Sequence, residues 1–291
     1  MKVLKFGGTS VGSAERMKSV ARIVCDGERK VVVLSAMAGT TNTLVEICDY
    51  LYKNNADGAR ETIAALERKY WAVIEELYVA DSYKKDAREA VRASVMNMRA
   101  CIKDYFSVFE EKEILSQGEL MSTAMMQLYM QEQGVKSALL PALDYMRTNK
   151  NQEPDMAYIR AHLNTMIEAL PGIDVYITQG YICRNAYGEV DNLQRGGSDY
   201  SASLIGAAIG ADEIQIWTDI DGMHNNDPRY VENTRPVRTL HFEEAAELGY
   251  FGAKILHPTC IQPAKQNNIP VRLLNTLEPQ APGTLDRKSV V

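Results

Sequence analysis

Three clusters in this chain combine residue types that hold and move a charged group. The first is Lys5-Phe6-Gly7-Gly8-Thr9-Ser10, a lysine followed by two glycines and two hydroxyls. The second is Gln194-Arg195-Gly196-Gly197-Ser198-Asp199, an arginine, two glycines and a serine ahead of a small-residue segment, with a carboxylate in the same turn. The third starts at Thr218-Asp219-Ile220-Asp221-Gly222 and runs through His224 to Asp227-Pro228-Arg229. Glycines let backbone N–H groups approach a ligand closely, and a helix N-terminus adds partial positive charge, so the first two clusters are candidate oxyanion cradles. An arginine fork adds planar recognition of a carboxylate or phosphate. The third could embrace a nucleotide and its Mg²⁺, although Asp-Gly and Asn-Asp-Pro turns explain most of its composition without a ligand. A tight turn with a solvated edge lysine likewise accounts for the first cluster taken alone, whereas a surface turn accounts poorly for the second. Lys254 is a second candidate phosphate lysine. The spacing of Gly7 and Gly12 fits half a P-loop, but Ser13-Ala14 stand where Lys-Ser/Thr is required, and there is no G-x-G-x-x-G.

The elements that position these clusters follow from periodicity. Val3, Leu4 and Phe6 predict a strand that breaks at Gly7-Gly8, followed by a helix over 15–25. Lys30 to Leu34 reads as a strand buried on both faces of a parallel sheet, ending in the small-residue loop Ser35-Ala36-Met37-Ala38-Gly39-Thr40-Thr41-Asn42. That loop would lie beside the first at the carboxyl ends of the strands, where open α/β sheets bind ligands; N-capping by Thr41 or Asn42 is the plainer alternative. Residues 56–133 are helical, with Ile63, Leu66, Tyr70, Ile74 and Leu77 at three- and four-residue steps. A Met-rich helix over 116–133 carries Glu119 near its start, as a first-turn acid or as an acid aimed at a cationic ligand group. Strands are predicted over 136–140, 175–181, 213–217 and 271–274, and helices after Pro154, over 200–209, over 242–248 and after Pro258. The fold class is α/β, one continuous domain with two lobes across one mostly parallel sheet.

Bulk properties exclude several functions. A net charge of −6 argues against a general nucleic-acid surface, so any phosphate is met locally. No run reaches the ~18 apolar residues of a membrane span, and the first residues lead straight into a strand, so a cytoplasmic location is expected. The five cysteines are scattered without C-x-x-C spacing, which points to free core thiols. The four histidines lack ligand spacing, and no protein-held metal site is predicted.

Together with Trp217-Thr218-Asp219 and Phe251-Gly252-Ala253-Lys254-Ile255-Leu256-His257-Pro258, these loops occur in an order that closely resembles aspartokinase. The resemblance covers the catalytic part of that family from end to end. It implies the amino-acid-kinase fold, a three-layer αβα sandwich with an aspartate-binding N-terminal lobe over about 1–185 and an ATP-binding C-terminal lobe over about 186–291. It also implies the reaction of ATP with L-aspartate to give 4-phospho-L-aspartate, the entry to lysine, threonine and methionine synthesis, with Mg²⁺ carried on the nucleotide. Carried over by position, Lys5 and Asp199 are the catalytic pair, Asp199 orienting Lys5. Aspartate would be held by Ser35, Thr41, Glu119, Arg195, Gly196, Gly197 and Ser198, with Arg195 on its α-carboxylate and Glu119 near its amino group. ATP would meet Lys5, Phe6, Gly7, Gly8, Ser10, Thr218, Asp219, His224, Arg229, Lys254 and Ile255.

Two departures stand out. His224 occupies a position where the family often has tyrosine on the adenine side, and the chain ends at Val291, without the ACT regulatory domains of that family. A natural short form, a catalytic fragment and the front of an aspartokinase–homoserine dehydrogenase fusion all fit this ending, and a weak homodimer or a monomer is expected. The competing readings are another amino-acid kinase of the fold, for glutamate or acetylglutamate, and a non-catalytic amino-acid-binding paralogue.

Overall fold

The computed structural model describes residues 1–193, 197–226, 231–244 and 258–287. In chain order these form β1 (Lys2–Phe6), α1 (Ala14–Val24), β2 (Lys30–Leu34), α2 (Thr40–Tyr52), α3 (Ala56–Leu77), α4 (Asp81–Ala100), α5 (Val108–Glu132), β3 (Ser137–Leu140), α6 (Ala142–Tyr145) and α7 (Met156–Glu168). There follow β4 (Val175–Gln179), β5 (Ile182–Arg184), β6 (Val190–Asn192), α8 (Gly197–Ile209), β7 (Ile214–Thr218), β8 (Thr239–His241), a 3₁₀ turn Pro258–Ile261, α9 (Gln262–Gln266), β9 (Val271–Asn275) and β10 (Thr284–Arg287).

Among the described residues an eight-stranded sheet runs β3-β4-β2-β1-β7-β9-β10-β8. It is parallel except where β10 meets β9. Because successive strand residues face opposite ways, β1 and β2 feed two cores. Leu4, Phe6, Val32 and Leu34 join the core under α1 to α5, whereas Val3, Val31 and Val33 join the core under α7, α8 and α9. The result is the expected three-layer sandwich. Lys5 shares the face of Val3, so its side chain emerges on the α8 side. β1 connects onward to β2 on one flank and is bordered by β7 on the other, which makes its carboxyl end a switch point of the kind where such sheets bind ligands.

Several local expectations need correction. The Met-rich helix starts not at 116 but at Val108, about two turns earlier, because Ser107 and Glu110 form a reciprocal capping box. Glu119 is therefore an interior helical residue and not a first-turn acid. Neither Thr41 nor Asn42 caps α2; its cap is Gly39, at φ 78°, with no side-chain bond. The strand expected over 175–181 stops at Gln179, and Tyr181 adopts φ 66°. Helix α1, capped by Ser13, matches the one expected over 15–25 to within a residue. Of the five free thiols, Cys25 is exposed and not in the core. The helix expected over 242–248 falls largely outside the described residues. Among the described residues, no helix is long and apolar enough to cross a membrane.

Candidate active site

The carboxyl end of β1 delivers Lys5 to the N-terminal turn of α8, where its Nζ lies 2.7 Å from Asp199 Oδ1. Both side chains are largely shielded, at 12% and 19% exposure, so their attraction is only partly screened by solvent. Helix α8 reaches this position because it is built from small residues: a Cβ on Gly206 would stand 2.5 Å from Ile214 Cδ1. At its start the fit is as close. A Cβ on Gly180 would lie 2.4 Å from Ser198 Cβ, and the Ser198 hydroxyl accepts a hydrogen bond from Ser35 Oγ at 2.8 Å.

The glycine loop packs directly on the loop after β2. The Ala38 N–H donates to Gly8 O at 3.1 Å, and a Cβ on Gly8 would sit 2.8 Å from Ala36 O. No side chain larger than hydrogen fits between those two backbones. Around Gly7 the space is more open, with Lys5 Nζ 3.5 Å from its virtual Cβ. On the far side, Ser10 is buried, and its hydroxyl meets Thr276 Oγ1 at 2.7 Å. Thr276 Oγ1 itself donates to Thr218 O at 2.8 Å, so Ser10 is the donor of the first bond. This chain of bonds ties the loops following β1, β9 and β7.

Glu119 lies on the opposite wall and is 5% exposed. Ala36 N–H donates to its Oε1 at 3.1 Å. Burial without a neighbouring cation among the described residues pushes its carboxyl up to about 7, partly offset by that hydrogen bond. Its helix is fastened to the β2 loop by Ser122 Oγ, which donates to Ser35 O at 2.8 Å. Gln179 Nε2 donates to Thr123 Oγ1, which donates to Glu119 O, both at 2.7 Å. Gly118 makes the approach possible, since a Cβ there would lie 2.7 Å from Ala36 Cβ.

The structure thus gathers Lys5, Gly7, Gly8, Ser35, Glu119, Ser198 and Asp199 into one region. Thr41 is exposed on α2, while its neighbour Thr40 is buried and shares a 3.1 Å bond with Tyr70 OH. Phe6 stacks on Trp217 with centroids 5.6 Å apart and is fully buried, so its side chain is core. In the third cluster, Thr218 Oγ1 folds back on its own loop, accepting from Ile220 N–H at 3.1 Å. Asp219 is exposed. His224 Nδ1 is 2.9 Å from Thr234 Oγ1, and Asp221 pairs with Arg238 at 3.0 Å. Arg195, Gly196, Arg229, Lys254 and Ile255 lie outside the described residues.

Sequence reasoning missed Gly118, Ser122, Thr123, Gln179 and Thr276. Only a glycine inside a helical pattern offered a signal, and it stood unread beside Glu119.

A glycine loop at the end of the first parallel strand, facing a buried acid across a sheet switch point, is the framework of a small-molecule binding α/β protein with an anion cradle. The chain belongs to the amino acid kinase family, whose model matches residues 1–275. Among individual proteins it is similar to the lysine-sensitive aspartokinase 3 of Escherichia coli, 36% identical across 97% of this chain and 63% of that protein. Aspartokinase 1 of Arabidopsis thaliana, a chloroplastic protein, is 34% identical over 99% of this chain and 52% of its own length. The crystal structure of E. coli aspartokinase III in complex with aspartate and ADP superposes with a TM-score of 0.89 at 33% identity, covering 100% of this chain and 65% of that one. The chain therefore spans between about half and two thirds of the length of these relatives.

Proposed function

We propose that this chain transfers the γ-phosphoryl group of ATP to the side-chain carboxylate of L-aspartate, giving 4-phospho-L-aspartate. The observation that carries the reading is Lys5 held 2.7 Å from Asp199 at the end of β1, with buried Glu119 behind the adjoining loop. An aspartokinase of similar fold that binds aspartate and ADP supports it.

The chemistry asks little of the protein beyond positioning and charge. A carboxylate nucleophile of pKa ~4 is already ionised at neutral pH, so no general base is needed. Phosphoryl transfer needs neutralisation of charge on the moving group and alignment of the attacking oxygen. Lys5 supplies a cation whose direction is set by Asp199, and the Gly7-Gly8 backbone supplies close N–H groups. Ser35 and Ser198 offer hydroxyls to the amino acid, and Glu119 a carboxylate to its ammonium. Arg195, Gly196, Gly197 and Thr41 complete the assigned aspartate set, and Ser10, Thr218, Asp219, His224, Arg229, Lys254 and Ile255 the ATP set. Mg²⁺, bound through the nucleotide phosphates, would neutralise their charge. We assign the aspartate lobe to about 1–185 and the ATP lobe to about 186–291.

Release of ADP by the purified chain with Mg-ATP, compared across L-aspartate, L-glutamate and no acceptor, tests the reading. Aspartate-dependent release is expected. Equal release with glutamate favours another kinase of the fold, and none with either acceptor favours a binding paralogue.

A further inference from the structure

Tyr181 is an aromatic residue in a conformation that suits glycine. Its φ of 66° lies in the left-handed region, which strains a bulky side chain and persists only where its surroundings enforce it. They do so from both sides. Tyr181 N–H donates to Ser201 Oγ and its carbonyl accepts from Leu193 N–H, each at 2.8 Å, while the next N–H, of Ile182, turns back to Gly180 O at 2.7 Å. This reversal occurs where β4 ends, beside the contact of Gly180 with Ser198.

The ring lies between the start of α8 and the acids of α5. Its Cδ2 lies 3.8 Å from where a Cβ on Gly197 would stand, at the first residue of α8. On the other side it feels the charges of Glu119 and Glu111 on α5, and of Asp191. Two of those acids are engaged elsewhere: Glu111 accepts from Tyr52 OH at 2.6 Å, and Asp191 pairs with Lys112 at 2.7 Å. Glu119 has no neighbouring cation among the described residues. The Tyr181 hydroxyl has no hydrogen-bond partner among the described residues. Burial, reinforced by the three acids, pushes the phenol up to about 12, so it stays a neutral group at physiological pH.

We propose that Tyr181 is a specificity-determining residue of the acceptor site, its ring closing the side of the pocket between α5 and α8 and so limiting the length of the amino-acid side chain admitted. The proposal rests on the aspartate-kinase reading. It requires a short dicarboxylic amino acid to reach the Lys5 end of the pocket with its ammonium at Glu119, while one more methylene drives the chain into the ring. Discrimination by one methylene amounts to about 10- to 200-fold in kcat/KM.

The test compares wild type with Tyr181→Asn and Tyr181→Phe, measuring kcat/KM for L-aspartate and L-glutamate and KM for ATP. Asparagine removes the ring yet tolerates the left-handed conformation, and Tyr181→Gly, which adopts it without steric cost, is the second variant should asparagine fail to fold. Loss of the ring is expected to lower the aspartate-over-glutamate ratio by about tenfold or more, with KM for ATP held within roughly twofold. Tyr181→Phe, which keeps the ring, is expected to keep the ratio within about threefold. An unchanged ratio in the ring-less variant, or a fall in Tyr181→Phe as large as in Tyr181→Asn, overturns the proposal. Wild type that turns over neither acid overturns the activity reading itself, a result distinct from an active enzyme whose selectivity ignores Tyr181.

Discussion

Asp199, in the first turn of α8, lies 2.7 Å from the Lys5 ammonium, which β1 carries to it from the central sheet. The pair fixes the direction of the Lys5 side chain at the switch point beside the glycine loop. Lys5→Met is expected to lower kcat about 100- to 1,000-fold, the range for removal of one preorganised charge-stabilising group. Asp199→Asn should cost less, because the lysine remains but is no longer aimed. Both are read in a coupled ADP assay, with circular dichroism to establish that the fold persists. Near-normal turnover in Lys5→Met would remove the basis of the proposed mechanism.

Glu119 sets a pH dependence whose sign follows from its burial. With the free site at about 7, the carboxyl is substantially protonated at pH 6 and must ionise to receive an ammonium. Apparent affinity for aspartate should therefore weaken as pH falls below 7, approaching tenfold per unit. Calorimetry at pH 8 should show proton release near zero, and at pH 6 a release read from the change of binding heat with buffer ionisation enthalpy. Glu119→Gln should bind aspartate weakly and without this slope.

Gly118→Ala puts a methyl group 2.7 Å from Ala36 Cβ. Helix α5 or the β2 loop must then shift, disturbing the Ala36 to Glu119 hydrogen bond. A stability loss of about 1–3 kcal/mol is expected for such overpacking, together with a KM for aspartate raised roughly tenfold, as for misplacement of a binding group. Chemical denaturation and steady-state kinetics measure the two effects separately. An unaltered KM would mean that the tight contact has no bearing on the acceptor pocket.

Most strands of the sheet were legible because buried parallel strands leave a recognisable pattern: the run KVVVL is β2 residue for residue, whereas the short β8, Thr239–His241, leaves no such run. Lys5 and Asp199 were also readable, since each stands beside glycines at the edge of an element. The pairing of the two followed from the family resemblance, and what escaped was the set of supporting contacts between distant segments. Ser122, Thr123 and Gln179 look like ordinary polar residues until α5 is laid against β2 and β4, and the Ser10–Thr276 bond joins positions 266 residues apart. The start of α5 lies at the Ser107/Glu110 cap, about two turns ahead of the Met-rich stretch that carries the plainer helical signal.

Asp286 offers a test of stability remote from the site. On β10 it is fully buried, neither carboxylate oxygen has a hydrogen-bond partner among the described residues, and desolvation followed by repulsion from Glu243 raises it to about 7, with Lys265 opposing. The native state then binds more protons than the unfolded chain between about 4 and 7, so stability from this group falls as pH rises through that window and levels off above it. Asp286→Asn should remove that decline. Urea midpoints at pH 5 and pH 8 are the measurement, and parallel declines in wild type and variant would show that Asp286 does not titrate in this window.

The early start of α5 has one further consequence. A residue in a frayed terminal turn must be immobilised by its ligand, and the affinity observed is reduced by that ordering. Glu119, about three turns inside a capped helix and tethered through Ser122 and Thr123, is already in place. Recognition of the ammonium should thus follow lock-and-key kinetics, with a single bimolecular phase whose rate scales linearly with amino-acid concentration and shows no plateau from a prior rearrangement.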